Sequence, residues 1–306
     1  MRERPVGSSG LVVSVVGLGC NNFGWRVDAD AALAVVDAAI DAGVTLFDTA
    51  ESYGGGESEV FLGRALAGRR DQAVIATKFG WGRGRDDHEL ARGAPDHVRQ
   101  AIEGSLRRLG TDYVDLYQYH RPDGVTPIEE TLGALNELVV EGKVRQIGSS
   151  NFSAEQVRAA ARVARERGLA PFVSAQNRYS LLEREAEEEL LPACEELQIG
   201  LIPYFPLARG LLTGKYRRGR EAPEGTRLAG ALDVPDATWE QIEALEVFAR
   251  DQGIRLLEVA IGGLAAQPAV SSVIAGATTP EQVRANAAAA AWEPSEAVLA
   301  ELLRIR

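Results

Sequence analysis

Residues 114–123 read VDLYQYHRPD, an apolar run that stops at His120, and a short apolar run bounded by turn residues reads as a buried strand. Two other stretches have the same form: LFDTAESYG at 46–54 and VIATKFG at 74–80. Asp48, Tyr53, Lys78 and His120 each lie at or just past the end of such a run, and the spacing puts them on three separate strand ends that are expected to converge on one point. Together a phenol, an ammonium, a carboxylate and an imidazole make a proton-donating site. Tyrosine alone is a poor acid at neutral pH, with an ordinary pKa of about 10. A neighbouring lysine cation favours the phenolate and is expected to move that value toward working pH, while the carboxylate keeps the lysine charged and aimed.

Taken singly, these residues have plainer readings. Tyr53 beside three glycines reads as a loop aromatic, Asp48 before Thr49 as a cap or turn residue, and His120, one of three histidines, as a satisfied core or rim side chain. Lys78 is harder to dismiss, since its stem leaves a buried strand where an unpaired ammonium is costly.

Strand and helix signals alternate along the whole chain. VVGLG, VTLFD, AVIAT, VDLYQY, VRQIG, FVSAQ, IGLIPY and SSVIAG are strand-like, and helical spacing follows, as in Asp30–Ala42 (Leu33, Val36, Ile40) and Pro127–Glu141 (Ile128, Leu132, Leu135, Leu138). Eight such units predict an α/β fold: a closed (β/α)8 TIM barrel, with active-site residues at the carboxyl ends of its strands. Residues before the first barrel strand, turning at Gly7-Ser8-Ser9-Gly10, predict a β-hairpin. Additional helices are expected over Thr238–Asp251 and Ser295–Ile305, with Leu256–Ala266 the helix before the eighth strand.

The 306 residues, 45% hydrophobic and 25% charged, fit one barrel domain spanning residues 1–306. A net charge of −11 argues against nucleic acid or an anionic membrane as partner, because the bulk field repels both. Cys20 and Cys194 suggest thiols rather than a disulfide framework, and with no signal-like or membrane-spanning run the expected location is cytoplasmic. No Cys/His cluster offers a metal site. The glycines after Tyr53 (GGGESE) read as a turn entering a helix, and no GxGxxG follows a strand with an acidic residue downstream, so a Rossmann dinucleotide site is not indicated.

With these motifs in this order, from LVVSVVGLGC (11–20) to VIAGATTPEQVRAN (273–286), the chain resembles the aldo-keto reductase superfamily, and within it the potassium-channel β subunits and bacterial aldehyde and sugar reductases. The resemblance implies that Tyr53 is the general acid toward a carbonyl oxygen, that Lys78 and Asp48 tune it, and that His120 orients the substrate. It implies an NADPH cofactor, with NADH the alternative, and a small-molecule carbonyl substrate. Gly19, Cys20 and Asn21 after the first strand, with Asp48, would border the cofactor. Ser150, Asn151 and Gln176 would bind the nicotinamide carboxamide and Tyr204 would stack on its ring. Pro206, Leu207, Ala208, Gly210, Leu212 and Lys215 in PLARGLLTGKY would form the pyrophosphate loop. Gly276, Thr278, Gln282 and Asn286 would surround the adenosine end, with Arg227 on the 2′-phosphate or adenine.

The chain also departs from the pattern. Asn21 stands where many members carry Trp, Ala285 replaces a usual Glu, and Gln282 replaces a basic residue that some members use against the 2′-phosphate. Trp25 and Trp81 are candidate aromatic walls in compensation. The short segment after Trp292 implies an open pocket, and substrate loops are expected after Phe23, Phe79 and His120. The other reading of the resemblance is a nucleotide-bound, redox-sensing regulatory subunit with little turnover; His120 and the absence of an N-terminal inactivation extension favour the enzyme.

Overall fold

The structure, a computed structural model, describes residues 1–81 and 91–306. An antiparallel hairpin, β1 (Glu3–Pro5) and β2 (Val12–Ser14), precedes eight parallel strands. These are β3 (Val16–Gly19), β4 (Leu46–Asp48), β5 (Val74–Phe79), β6 (Val114–Tyr119), β7 (Val144–Ser150), β8 (Phe172–Gln176), β9 (Gly200–Leu201) and β10 (Val273–Gly276). Each pairs with the next in sequence from β3 to β9, and β10 pairs with β3. The ring is closed by backbone bonds from Ser271 N to Leu201 O (2.9 Å) and from Ile274 N to Pro203 O (3.1 Å). β9 is shorter than the run IGLIPY because Pro203 has no N–H to give the ladder.

Ten helices lie among the described residues. The first six follow strands in turn: α1 (Ala29–Asp41), α2 (Glu57–Ala65), α3 (Pro95–Leu109), α4 (Ile128–Val140), α5 (Ala154–Arg167) and α6 (Leu190–Leu197). α7 (Asp236–Asp251) and α8 (Leu256–Ala265) precede β10, and α9 (Pro280–Ala289) and α10 (Glu296–Leu302) follow it. Starts are set by local chemistry: Asp28 caps Ala31 N, Ser153 and Gln156 form a capping box, and Thr279 caps α9 ahead of Pro280. None of these helices is long and apolar enough to cross a membrane.

α1 is rotated from the expected stripe. Ala32, Val35, Val36 and Ala39 face the core, while Leu33 is 45% exposed. Small residues at i, i+3, i+4 and i+7 let the helix approach its neighbours, and that close face wins over the single larger side chain.

Alternation along the strands divides the core in two. Phe47, Ile75, Phe79, Tyr117 and Tyr119 point outward under the helices. Leu46, Ala76, Leu116, Ile202 and Ile274 point into the barrel, where Val6 and Val13 of the hairpin region plug its base.

Candidate active site

One two-residue step along three strands turns the barrel interior from apolar to polar, Leu46 giving way to Asp48, Ala76 to Lys78 and Leu116 to Gln118, and on β8 the small Ser174 gives way to Gln176. Register sets Lys78 beside Gln118 and Asp48 beside Ala76, and hydrogen bonds join the four polar side chains into one cluster. Lys78 is fully buried, and its ammonium donates to Asp48 Oδ2 (2.6 Å), Thr49 O (2.8 Å) and the Tyr53 hydroxyl (3.2 Å). Asp48 Oδ1 accepts from Gln176 Nε2 (2.8 Å) and Gln118 Nε2 (3.2 Å). Every N–H of the buried cation thus has a partner, the condition under which a buried charge is tolerated.

Tyr53 opens a tight turn, Tyr53–Gly56, that leads into α2. Gly54 is left-handed (φ 57°), and a Cβ there would stand 2.6 Å from Phe23 O, so this turn against the loop after β3 requires glycine. The turn sets the Tyr53 ring 4.8 Å from the Lys78 ammonium and edge-on to His120, centroids 5.9 Å apart. Trp81 lies against the other side of His120 at 4.7 Å.

The electrostatics differ in one respect from the sequence expectation. Burial raises the Tyr53 pKa, and the opposing pull of Lys78, itself countered by Asp48, is too weak to reverse it. Tyr53 is therefore a protonated donor at neutral pH. Burial pulls Lys78 down, but Asp48 and Tyr53 more than offset it, so its pKa is raised and it stays an ammonium. Burial and then the Lys78 charge hold His120 well below its ordinary 6.5, so its imidazole is neutral, and Nδ1 has no hydrogen-bond partner among the described residues.

These groups lie at one end of a cavity of about 1160 Å³. Of the sequence-derived candidates, Gly19, Asn21, Asp48, Tyr53, His120, Ser150, Asn151, Gln176, Tyr204, Pro206, Leu207, Gly210, Lys215, Arg227, Gly276, Thr278, Gln282 and Asn286 line it. Lys78 lies enclosed beneath Asp48 and Tyr53. Cys20, Ala208 and Leu212 turn their side chains into the hydrophobic core instead. Trp81 is on the wall, whereas Trp25 is 63% exposed and stands outside it. Of the loop after Phe79, residues 82–90 lie outside the described residues.

Two of the amides expected to meet nicotinamide are already engaged. Asn151 donates to His120 O (2.9 Å) and accepts from the Tyr204 hydroxyl (2.7 Å), and Gln176 is held on Asp48. At the far end Arg26, Arg209 and Arg227 converge, and no salt bridge pairs any of them with a carboxylate of the described residues. Arg227 lies 5.1 Å from the Phe205 ring and 5.9 Å from that of Trp25; burial, then Arg26 and Arg209, lower its pKa. Phe205, Ala208 and Arg209 hold left-handed backbone (φ 55°, 44° and 59°), an uncommon state for such residues that concentrates at functional sites.

Sequence reasoning missed Gln118, Asn22, Arg26, Arg178 and Arg209. For Gln118 a signal existed, because it lies two residues before His120 and so shares its face. Nothing in the sequence separates Arg26 or Arg209 from ordinary surface arginines.

A dinucleotide fits what is present. The volume exceeds the roughly 300–1,000 Å³ of drug-sized pockets. Unneutralised guanidiniums and Lys215 supply positive charge, and the start of α9 adds backbone N–H groups, both suited to phosphate. Among the described residues no group of three or more His, Cys, Asp or Glu side chains is placed to hold a metal ion.

A family model described as "Aldo/keto reductase family" matches residues 15–305. A "probable voltage-gated potassium channel subunit beta" of Oryza sativa subsp. japonica is 38% identical over 94% of this chain and 90% of its own length. One of the same description from Arabidopsis thaliana is 37% identical, with the same two coverages. An "uncharacterized oxidoreductase YrpG" of Bacillus subtilis (strain 168) is 37% identical over 93% of this chain and 89% of its own.

Proposed function

The chain belongs to the aldo/keto reductase family, and from that premise we propose that it is an NADPH-preferring reductase of aldehydes and ketones, with Tyr53 as general acid. The observation that carries this reading is the Tyr53 hydroxyl, 3.2 Å from the Lys78 ammonium and beside His120, in a cavity that also gathers guanidiniums with no carboxylate partner among the described residues.

When bound, NADPH supplies a hydride to the carbonyl carbon. As negative charge grows on the carbonyl oxygen, Tyr53 gives up its proton there. An alkoxide is a far stronger base than a phenolate, so a raised phenol pKa does not block the transfer. Lys78 stabilises the resulting phenolate, and Asp48 holds Lys78 charged. Neutral His120 orients the carbonyl, and Trp81 closes the wall behind it. Arg227, Arg209, Arg26 and Lys215 hold the phosphates, with Thr278, Gln282 and Asn286 toward the adenosine. A cytoplasmic site of action accompanies this reading, supported by two buried free thiols, Cys20 and Cys194.

Tyr53→Phe is the test. The variant keeps the ring and loses the proton, so turnover of a reactive aldehyde with NADPH should fall about 10²-fold or more while NADPH still binds. Retention of more than half the rate rejects Tyr53 as the acid.

The names of the rice and Arabidopsis relatives favour a second reading, a nucleotide-bound regulatory subunit. On that reading the protein binds NADPH yet turns over no member of a panel of aldehydes, ketones and sugars.

A further inference from the structure

We propose that Gln118 is a positioning residue that ties the Lys78–Asp48 pair to Gln176 on the cavity wall. This rests on the reading of the cavity as a nicotinamide site for carbonyl reduction.

Gln118 is fully buried inside the barrel and is not on the cavity wall. Space for it comes from its register partner Gly148 on β7, where a Cβ would stand 3.3 Å from Gln118 Cγ and 2.2 Å from Ser174 Oγ. Both ends of its amide are used. Nε2 donates to Asp48 Oδ1 (3.2 Å), and Oε1 accepts from Gln176 Nε2 (3.1 Å). Gln176 Nε2 also donates to the same Asp48 oxygen at 2.8 Å. Asp48 therefore gives Oδ2 to Lys78 and Oδ1 to two amides, of which only Gln176 reaches the cavity.

That arrangement has a consequence for ligand binding. When Gln176 turns an N–H toward a carboxamide, Asp48 Oδ1 loses its shorter bond at a nearly buried position, where an unmet carboxylate is costly. Gln118 remains as the second donor and keeps the carboxylate satisfied. Its Oε1 meanwhile holds the second N–H of Gln176, so that amide stays anchored when its first N–H leaves Asp48. Gln118 thus links cofactor engagement to the charge state that Tyr53 depends on, without touching substrate or cofactor.

The test uses the full-length protein with Gln118→Leu and Gln118→Glu, NADPH titrated by fluorescence, and turnover of 4-nitrobenzaldehyde between pH 6 and 8.5. With leucine, Gln176 becomes the sole amide on Asp48 Oδ1, and the Kd for NADPH should rise about ten-fold, the loss of one bond to a charged group. With glutamate, the introduced carboxyl must be protonated to donate to Asp48, so the ratio of variant to wild-type kcat should climb as pH falls, by up to about ten-fold per pH unit. A space-filling role predicts an unchanged Kd and a ratio flat in pH, and that result overturns the inference. Should the leucine variant fail to fold, the pH dependence of the glutamate variant decides alone. Wild-type protein that binds neither NADPH nor NADH rejects the parent reading as well, whereas wild-type binding with unaffected variants rejects only the role of Gln118.

Discussion

His120 is the residue whose environment most changes its chemistry. An exposed imidazole takes up a proton near pH 6.5; this one is held well below that by burial and by Lys78, with no partner among the described residues to share an added N–H at Nδ1. A depressed histidine pKa means that the unfolded chain binds the proton first. Stability is then fully present above 6.5 and is lost as pH falls from there toward the folded-state value. His120→Asn removes this contribution. The wild-type loss of unfolding free energy between pH 6.5 and 5 should exceed the variant's, the two curves converging by at most about 1.4 kcal/mol per pH unit. Urea unfolding of both proteins across that range checks it; parallel curves would mean His120 titrates normally. The four polar residues were legible because each lies at or just past the end of an apolar run. The direction of the Tyr53 shift was not, since it turns on how burial weighs against one lysine, and burial is set by the turn at Gly54 and by the loop after β3.

At the scale of elements, strand positions follow directly from apolar runs, while what each side chain faces depends on packing that no run reveals. All eight barrel strands lie where VVGLG through SSVIAG put them, and the hairpin turns where Gly7-Ser8-Ser9-Gly10 put it. The exposure of Leu33 on α1 and the core-facing side chains of Cys20, Ala208 and Leu212 were not legible for one reason: the rotation of a helix or loop is decided by neighbours distant in sequence. Gly63 on α2 shows how tight that packing is, since a Cβ there would meet Leu109 O at 2.3 Å, backbone at the end of α3. Gly63→Ala should push the two helices apart and cost about 1–3 kcal/mol, lowering the melting temperature. Because α2 continues the turn that carries Tyr53 but Gly63 lies beyond it, kcat/KM of the remaining folded protein should stay near wild type. A thermal melt and steady-state kinetics on one sample test both halves.

The whole molecule carries a net charge of −11 yet presents three guanidiniums, from the connections after β3 and β9, to its cavity. The bulk field repels an anion, so the local cluster must overcome it, and the two depend differently on salt: exposed charges beyond about 10 Å are screened at 0.1 M, a half-buried cluster much less. Arg227 lies near the rings of both Phe205 and Trp25, and like-charge neighbours Arg26 and Arg209 favour an anion beside it. If that anion is the phosphate that distinguishes NADPH from NADH, Arg227→Ala should weaken NADPH by about 1.5–3 kcal/mol and leave NADH nearly unchanged, so the preference between them shrinks by about 10- to 100-fold. Fluorescence titration of both nucleotides at low and moderate salt reads this out. Equal affinity for the two in wild-type protein would remove the preference itself, and an equal loss for both in the variant would place Arg227 on the adenine or pyrophosphate that they share.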